Sequence, residues 1–203
     1  MYLYGASGHG KVIAEIAEDL AINITGFIDA NTSITSVLDY TVIAISATNL
    51  NGNAVISIGS NKIRKQIAIK ENHLQFISLL SPKANISQRV VIEEGTVVMM
   101  GATINSEVVI GKHCIVNTNA SIDHDCKLGD FVHISPNVAL AGNVTVGEGT
   151  HIGIGASVIQ GINIGKWCTI GAGAVIIKDV PDGATVVGNP GKIIKIKDIN
   201  EYK

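Results

Sequence analysis

The sequence predicts a parallel β-helix of hexapeptide repeats over residues 86–181, carried behind a small α/β domain. Three observations support that expectation. Stepping by six from Ile86 through Ile92, Val98 and Ile104 to Ile176 meets an aliphatic residue at all sixteen positions. The fifth place of each hexad, counted from that aliphatic, holds a small or β-branched residue such as Val90, Ala102, Cys114 or Val138. Ahead of this register, short apolar runs alternate with helical spacing. The chain accordingly divides into an α/β domain at 1–81 and a β-helix with a C-terminal tail at 82–203.

Composition agrees. Hydrophobic residues make up 46% of the chain but aromatics only 4%, so Ile, Val and Ala must pack the core, which favours β structure. A net charge of -2 gives no electrostatic footprint for nucleic acid. No apolar run is long enough for a membrane span. Met1–Tyr4 runs straight into a Gly-rich loop, without the basic and apolar regions of a signal peptide. Three cysteines, an odd number without metal-ligand spacing, point to a reducing, cytoplasmic compartment.

In the first domain, Tyr2–Tyr4 reads as a strand, Gly5–Gly10 as a loop and Lys11–Ala21 as a helix. Ile24–Ile28 reads as a second strand that ends at Asp29. Strands over Tyr40–Ile45 and Ala54–Ile58, a helix over Asn61–Asn72 and a last strand over Gln75–Leu80 complete a Rossmann-like βαβ pattern with a parallel sheet. The loop spaces its glycines G-x-x-G-x-G, which departs from the dinucleotide fingerprint. Its context is nonetheless that of a nucleotide loop: a strand before, a helix after, and Asp29 at a strand end where an acid meets a ribose hydroxyl. Helix N-terminal amides near Gly8–Lys11 suit a phosphate. The domain is too short for a complete dinucleotide fold, so a mononucleotide is expected.

In the β-helix, three hexads make an 18-residue coil, and stacked coils rise by roughly 4.8 Å. Sixteen hexads give about five coils. The first and fifth places point inward, which buries Cys114, Cys126 and Cys168 as small hydrophobes. Glycine follows the aliphatic at 111, 129, 147, 153, 165 and 171, where a turn is expected to need a permissive backbone. Of six histidines, His124 stands out because Asp123 and Asp125 flank it, and a carboxylate beside an imidazole fixes its tautomer and raises its basicity. Gly142 lies 18 residues on, one coil above, so its amide can face an oxyanion near that base. His133 and His151 stack with each other on a different edge, and a site that uses both edges lies most simply between neighbouring prisms. The stacked pair also invites a zinc reading, although hexapeptide zinc sites need three histidines. A non-catalytic scaffold is the remaining alternative.

The segments Tyr4–Lys11, Gly26–Asp29, Ile58–Asn61, Asn117–Cys126, Ala141–Asn143 and Val187–Pro190 together resemble the sialic acid O-acetyltransferase-like family of hexapeptide-repeat sugar acetyltransferases. Within it they are most similar to the bacterial UDP-4-amino-4,6-dideoxy-sugar N-acetyltransferases of the bacillosamine pathway type. The resemblance spans essentially the whole chain. It implies a left-handed coil, a homotrimer with acetyl-CoA between adjacent prisms, and no metal. By motif it implies His124 as general base, with Asp125 tuning it. His133, Gly142, Ile154 and Ala172 are implied at the acetyl-CoA site, and Asn117 near the sugar. Ser7, Gly8 and His9 are implied at the phosphates, and Asp29, Ala30 and Gly59 at the UDP. Ala30 stands where these enzymes often carry a second acid, and Asp125 where relatives can carry Glu. The expected reaction is direct acetyl transfer to the 4-amino group of a UDP-linked sugar. The nearest alternative is O-acetylation of sialic acid or another sugar hydroxyl.

Overall fold

In the computed structural model, residues 1–45 and 50–200 are described. The first domain contains β1 (Tyr2–Tyr4), α1 (Gly8–Asp19), β2 (Gly26–Asp29), β3 (Ser36–Val37), β4 (Tyr40–Ala44), β5 (Asn53–Ile56), α2 (Asn61–Lys70) and β6 (Gln75–Phe76). The sheet order is β3-β4-β2-β1-β5-β6. All its pairs are parallel except the β3–β4 hairpin. Two boundaries differ from the sequence reading. Helix α1 begins at Gly8 instead of Lys11, so half of the expected loop is the first helical turn. The single strand expected over Gln75–Leu80 is two strands. Gln75–Phe76 closes the first sheet, while Leu79–Leu80 pairs with Val97–Val98 in the β-helix.

The β-helix therefore starts one hexad before Ile86. Its first face stacks Leu79–Leu80, Val97–Val98, Ile115–Val116, His133–Ile134, His151–Ile152 and Thr169–Ile170, then Ala184–Val187 and the antiparallel Lys192–Ile196. The second face stacks six strands from Asn85–Ile86 to Val175–Ile176, which makes six coils where the repeat count gave about five. The third face runs from Val91–Ile92 to Asn163–Ile164, and Val180 bridges on to Ile164. The coil is left-handed. Partners lie 18 residues apart, as in Ser121↔Ala139 and His133↔His151.

Burial follows the hexad. The first and fifth places form one continuous core that includes all three cysteines, each at most 1% exposed. None of the three is in a disulfide. The glycines that follow the aliphatics play a different part from the turn role expected of them. Those following the aliphatic are not the residues at positive φ; that conformation lies two residues later, at Asn119, Asp125, Asn137 and Asn143 among others. The short polar side chains of Asn and Asp tolerate it best. Glycine follows the aliphatic because the next coil approaches closely. A Cβ on Gly147 would stand 2.6 Å from the Gly165 carbonyl carbon and 2.7 Å from the Lys166 nitrogen.

The two domains share packing. Leu3, Ile13, Ile16, Ala17, Phe27 and Val55 cluster with Leu79, Val97, Met99 and Ile115, so α1 and one side of the first sheet cover the outer surface of the first face. That burial gives first-face residues, which would otherwise face water, an interior environment.

Candidate active site

Two groups of residues emerge, on different sides of the prism. The first is at the corner between the second and third faces. Asp125 takes the positive-φ place of its hexad (φ 62), which turns its carboxylate back toward the preceding side chain. His124 Nδ1 stands 2.7 Å from Asp125 Oδ2. Asp123 Oδ1 accepts from the His124 backbone N–H at 2.8 Å and from Asn105 Nδ2 at 2.8 Å, which holds the turn. The Asp125 hydrogen bond first, then the Asp123 charge, raises the His124 pKa above its ordinary value. The His124 side chain is 59% exposed, so the ring faces solvent.

Gly142 sits directly over this ring. A Cβ there would stand 2.6 Å from His124 Cε1 and 2.7 Å from Nε2. The Gly142 N–H donates to no backbone acceptor among the described residues. Beside it, a groove of about 410 Å³ runs along the second face, floored by the small side chains Ser121, Ala139 and Ser157 and walled by Asp123, Ala141 and Gln160. Ile154, 52% exposed, and Ala172, also exposed, are stacked on the corner at the other edge of that face.

The second group lies under the first domain. His133 is 8% exposed. Its Nδ1 stands 3.3 Å from Gly59 O, and its Nε2 3.2 Å from Asn117 Nδ2. Nδ1–H then donates to the carbonyl while Nε2 accepts from the amide, so the ring is a neutral bridge with both nitrogens engaged. His9 packs 6.3 Å from it, and His151 stacks on it at 4.7 Å with Nε2 2.8 Å from Ser135 Oγ. The His133 and His151 lone pairs thus meet different partners instead of converging on one point. Among the described residues no group of three His, Cys, Asp or Glu side chains has metal-binding proximity.

The Gly5–Gly10 loop lies at the C-terminal ends of β1 and β2. Ser7 and Gly8 are exposed at the start of α1, and open space surrounds Gly8. Gly10 is required for close packing, since a Cβ would meet Gly5 O at 2.7 Å and Phe27 Cε1 at 2.8 Å. Asp29 accepts from Ala6 N at 2.7 Å and Asn31 N at 2.8 Å, so it clasps the loop as well as facing the adjoining cavity. That cavity, about 310 Å³, is lined by Asp29, Ala30 and Gly5 with Ile58, Ile67 and Lys70. The spacing of the sequence did not single out Arg64, whose guanidinium joins α2 to the prism.

Burial pushes His9 and His113 down to about 4 and His133 to about 3. These rings stay neutral in the folded protein while the unfolded chain protonates them near pH 6.5. Their folded values are depressed, so the stability they contribute is present above pH 6.5 and is lost as pH falls toward 3–4. Each contributes a slope of up to about 1.4 kcal/mol per pH unit. Thermal unfolding is expected at falling temperature as pH drops from about 6.5 to about 4. A flat profile across that window would contradict the burial of neutral imidazoles.

Comparison with known proteins agrees with this architecture. Residues 1–70 match the family model of the PglD N-terminal domain. The acetyltransferase domain of PglB from Neisseria gonorrhoeae FA1090 is 40% identical, with 95% of this chain and 98% of that chain covered and a TM-score of 0.89. The chain belongs to the hexapeptide-repeat sugar acetyltransferase family. A second member, perosamine N-acetyltransferase PerB from Caulobacter crescentus, solved with CoA and GDP-perosamine, is 34% identical over 96% of both chains (TM-score 0.89). WeeI from Acinetobacter baumannii AYE is 30% identical, with 95% and 98% covered (TM-score 0.86). The PglB domain has also been solved with acetyl coenzyme A. The chain thus carries an exposed imidazole beside an open groove on the prism, and a glycine-containing loop beside a cavity in the first domain.

Proposed function

We propose that the protein transfers the acetyl group of acetyl-CoA to the 4-amino group of a UDP-linked amino-dideoxy sugar, with His124 as general base. The observation that carries this reading is the exposed His124 ring, oriented by Asp125 at 2.7 Å and overlain by Gly142. With Nδ1–H donating to Asp125, Nε2 keeps its lone pair for the proton of the acceptor amine. As that proton leaves, the amine nitrogen forms its bond to the thioester carbonyl carbon. The negative charge on the carbonyl oxygen meets the Gly142 N–H. The C–S bond then breaks, and CoA takes a proton to leave as a thiol.

An acyl-enzyme is not part of this route. Cys126 and Cys168 are buried with raised pKa values, and burial pushes Cys114 up to about 12. The loop Ser7–His9 would hold the phosphates, and Asp29, Ala30 and Gly59 the nucleoside side of the substrate. Ile154 and Ala172 would carry the CoA along the second face.

The same geometry favours a homotrimer. The first domain covers the first face, whereas His124 stands on the corner opposite that face. A nucleotide sugar held by one protomer's loop would therefore meet the His124 of a neighbour. Asn117 and His133 would border the sugar and thioester side of such a shared site. Free, buried cysteines are consistent with a cytoplasmic location, and no helix among the described residues is long and apolar enough to cross a membrane.

The test is a turnover screen with acetyl-CoA against UDP-, GDP- and CMP-linked sugars. Fastest CoA release is expected with a UDP-linked 4-amino sugar. Preference for a GDP-linked amine would reassign the nucleotide, and turnover confined to sialic acid hydroxyls would overturn N-acetylation.

A further inference from the structure

Arg64 is one of two arginines in the chain, and it is 1% exposed. It sits on α2 at the side facing the corner between the third and first faces. A guanidinium has five N–H donors in a rigid plane, and all five are used. Nε donates to His113 O at 2.8 Å. Nη1 donates to Ile58 O and Gly59 O, both at 3.1 Å. Nη2 donates to Asn61 Oδ1 at 3.0 Å and Phe131 O at 2.9 Å. None of these acceptors is a carboxylate. Burying a cation without an anion is costly, and neutral packing would cost less if adhesion were all that was needed.

The acceptors show what the arrangement accomplishes. His113 and Phe131 occupy the positive-φ place of successive coils, so their carbonyls form part of a vertical ladder on the prism. Asn61 extends it by donating to Gly149 O, one coil further, at 2.9 Å. Ile58 and Gly59 belong to the other domain: they form the turn between β5 and α2. Ile58 lines the nucleotide cavity, and Gly59 O also receives His133 Nδ1. One planar group thus ties three levels together: the prism ladder, the cavity wall and the buried histidine.

We propose that Arg64 is a positioning residue that fixes the nucleotide-sugar turn Ile58–Gly59 in register with the prism. This rests on the function proposed above. A lysine keeps the charge but presents a point of three donors, and it cannot span carbonyls of both domains. The groove proposed for acetyl-CoA on the second face is lined by none of the residues bonded to Arg64, and only His133, through Gly59 O, touches both sites, so the two substrates separate the effect.

The experiment measures steady-state kinetics of full-length wild type, Arg64→Lys and Asn61→Ala, varying a UDP-linked 4-amino sugar and acetyl-CoA in turn, alongside thermal unfolding. For Arg64→Lys, kcat/KM for the nucleotide sugar is expected to fall by about 10- to 100-fold. Its KM for acetyl-CoA should stay within about twofold of wild type. Asn61→Ala should show the same split, smaller. Loss of activity in proportion to the folded fraction, with both KM values unchanged, would show a merely structural role and overturn the inference. Should Arg64→Lys fail to fold, a wild-type KM for the nucleotide sugar in Asn61→Ala overturns it equally. Absence of turnover by wild type overturns the functional reading itself, a result distinct from either of these.

Discussion

His124→Ala is expected to lower kcat by about 10²–10⁴ with little change in thermal stability. The ring is more than half exposed and anchors no core, so the folded structure loses little when it is removed. The acceptor amine loses its proton acceptor at the reacting nitrogen, and the neighbouring acids cannot replace it. Asp125 is turned toward Nδ1, and Asp123 caps the His124 amide. Asp125→Asn should cause a smaller fall, because it replaces the carboxylate whose hydrogen bond does most to raise the His124 pKa and weakens control of the tautomer. Steady-state kcat at saturating acetyl-CoA, beside an unfolding curve for each variant, measures both. Wild-type turnover in His124→Ala would remove the general base from the mechanism.

Gly142→Ala is the second large effect, and it separates geometry from chemistry. The added methyl would lie within 2.6–2.7 Å of the His124 ring, so the imidazole must swing away. Gly142 is not among the residues at positive φ, so its backbone accepts alanine. The obstructed neighbour is also an exposed, movable side chain, unlike the coil backbone that faces Gly147. Stability is therefore expected within about 0.5 kcal/mol of wild type. Activity should drop by about 10- to 100-fold, because the base and the amide that faces the oxyanion no longer share one position. Retained stability with retained activity would show that the ring has no fixed catalytic place.

The sequence carried much of this site. The hexad period is redundant, since each coil repeats the inward places, and counting by 18 is enough to put Gly142 over His124. What it did not carry depends on approach between segments. Glycine at the start of α1 looks like loop because its propensity is poor, yet Gly10 is needed where the helix crosses Phe27. The glycines that follow the aliphatics signal both turns and close packing, and only the neighbouring coil decides which. The Gln75–Leu80 run is uniformly strand-like, but nothing in its pattern says that the chain changes sheets after Phe76. His133 occupies a place that faces outward in the repeat, and its burial arises from the first domain, where its partner Gly59 lies 74 residues earlier in the chain. Arg64 was hidden for the same reason. An Asn and an Arg three apart on a polar helix, as at Asn61 and Arg64, read as a solvated face, and their common direction was the available clue.

The reaction proposed for the protein is acetyl transfer to the amine of a nucleotide-linked sugar. Its most direct measurement is the structure of the product formed by wild-type protein from acetyl-CoA and a UDP-linked 4-amino-4,6-dideoxy sugar, by mass spectrometry and NMR. One acetyl group on the 4-amino nitrogen, formed in step with free CoA thiol, is the predicted result. CoA release without an acetylated sugar, or acetyl found on a hydroxyl, would contradict it.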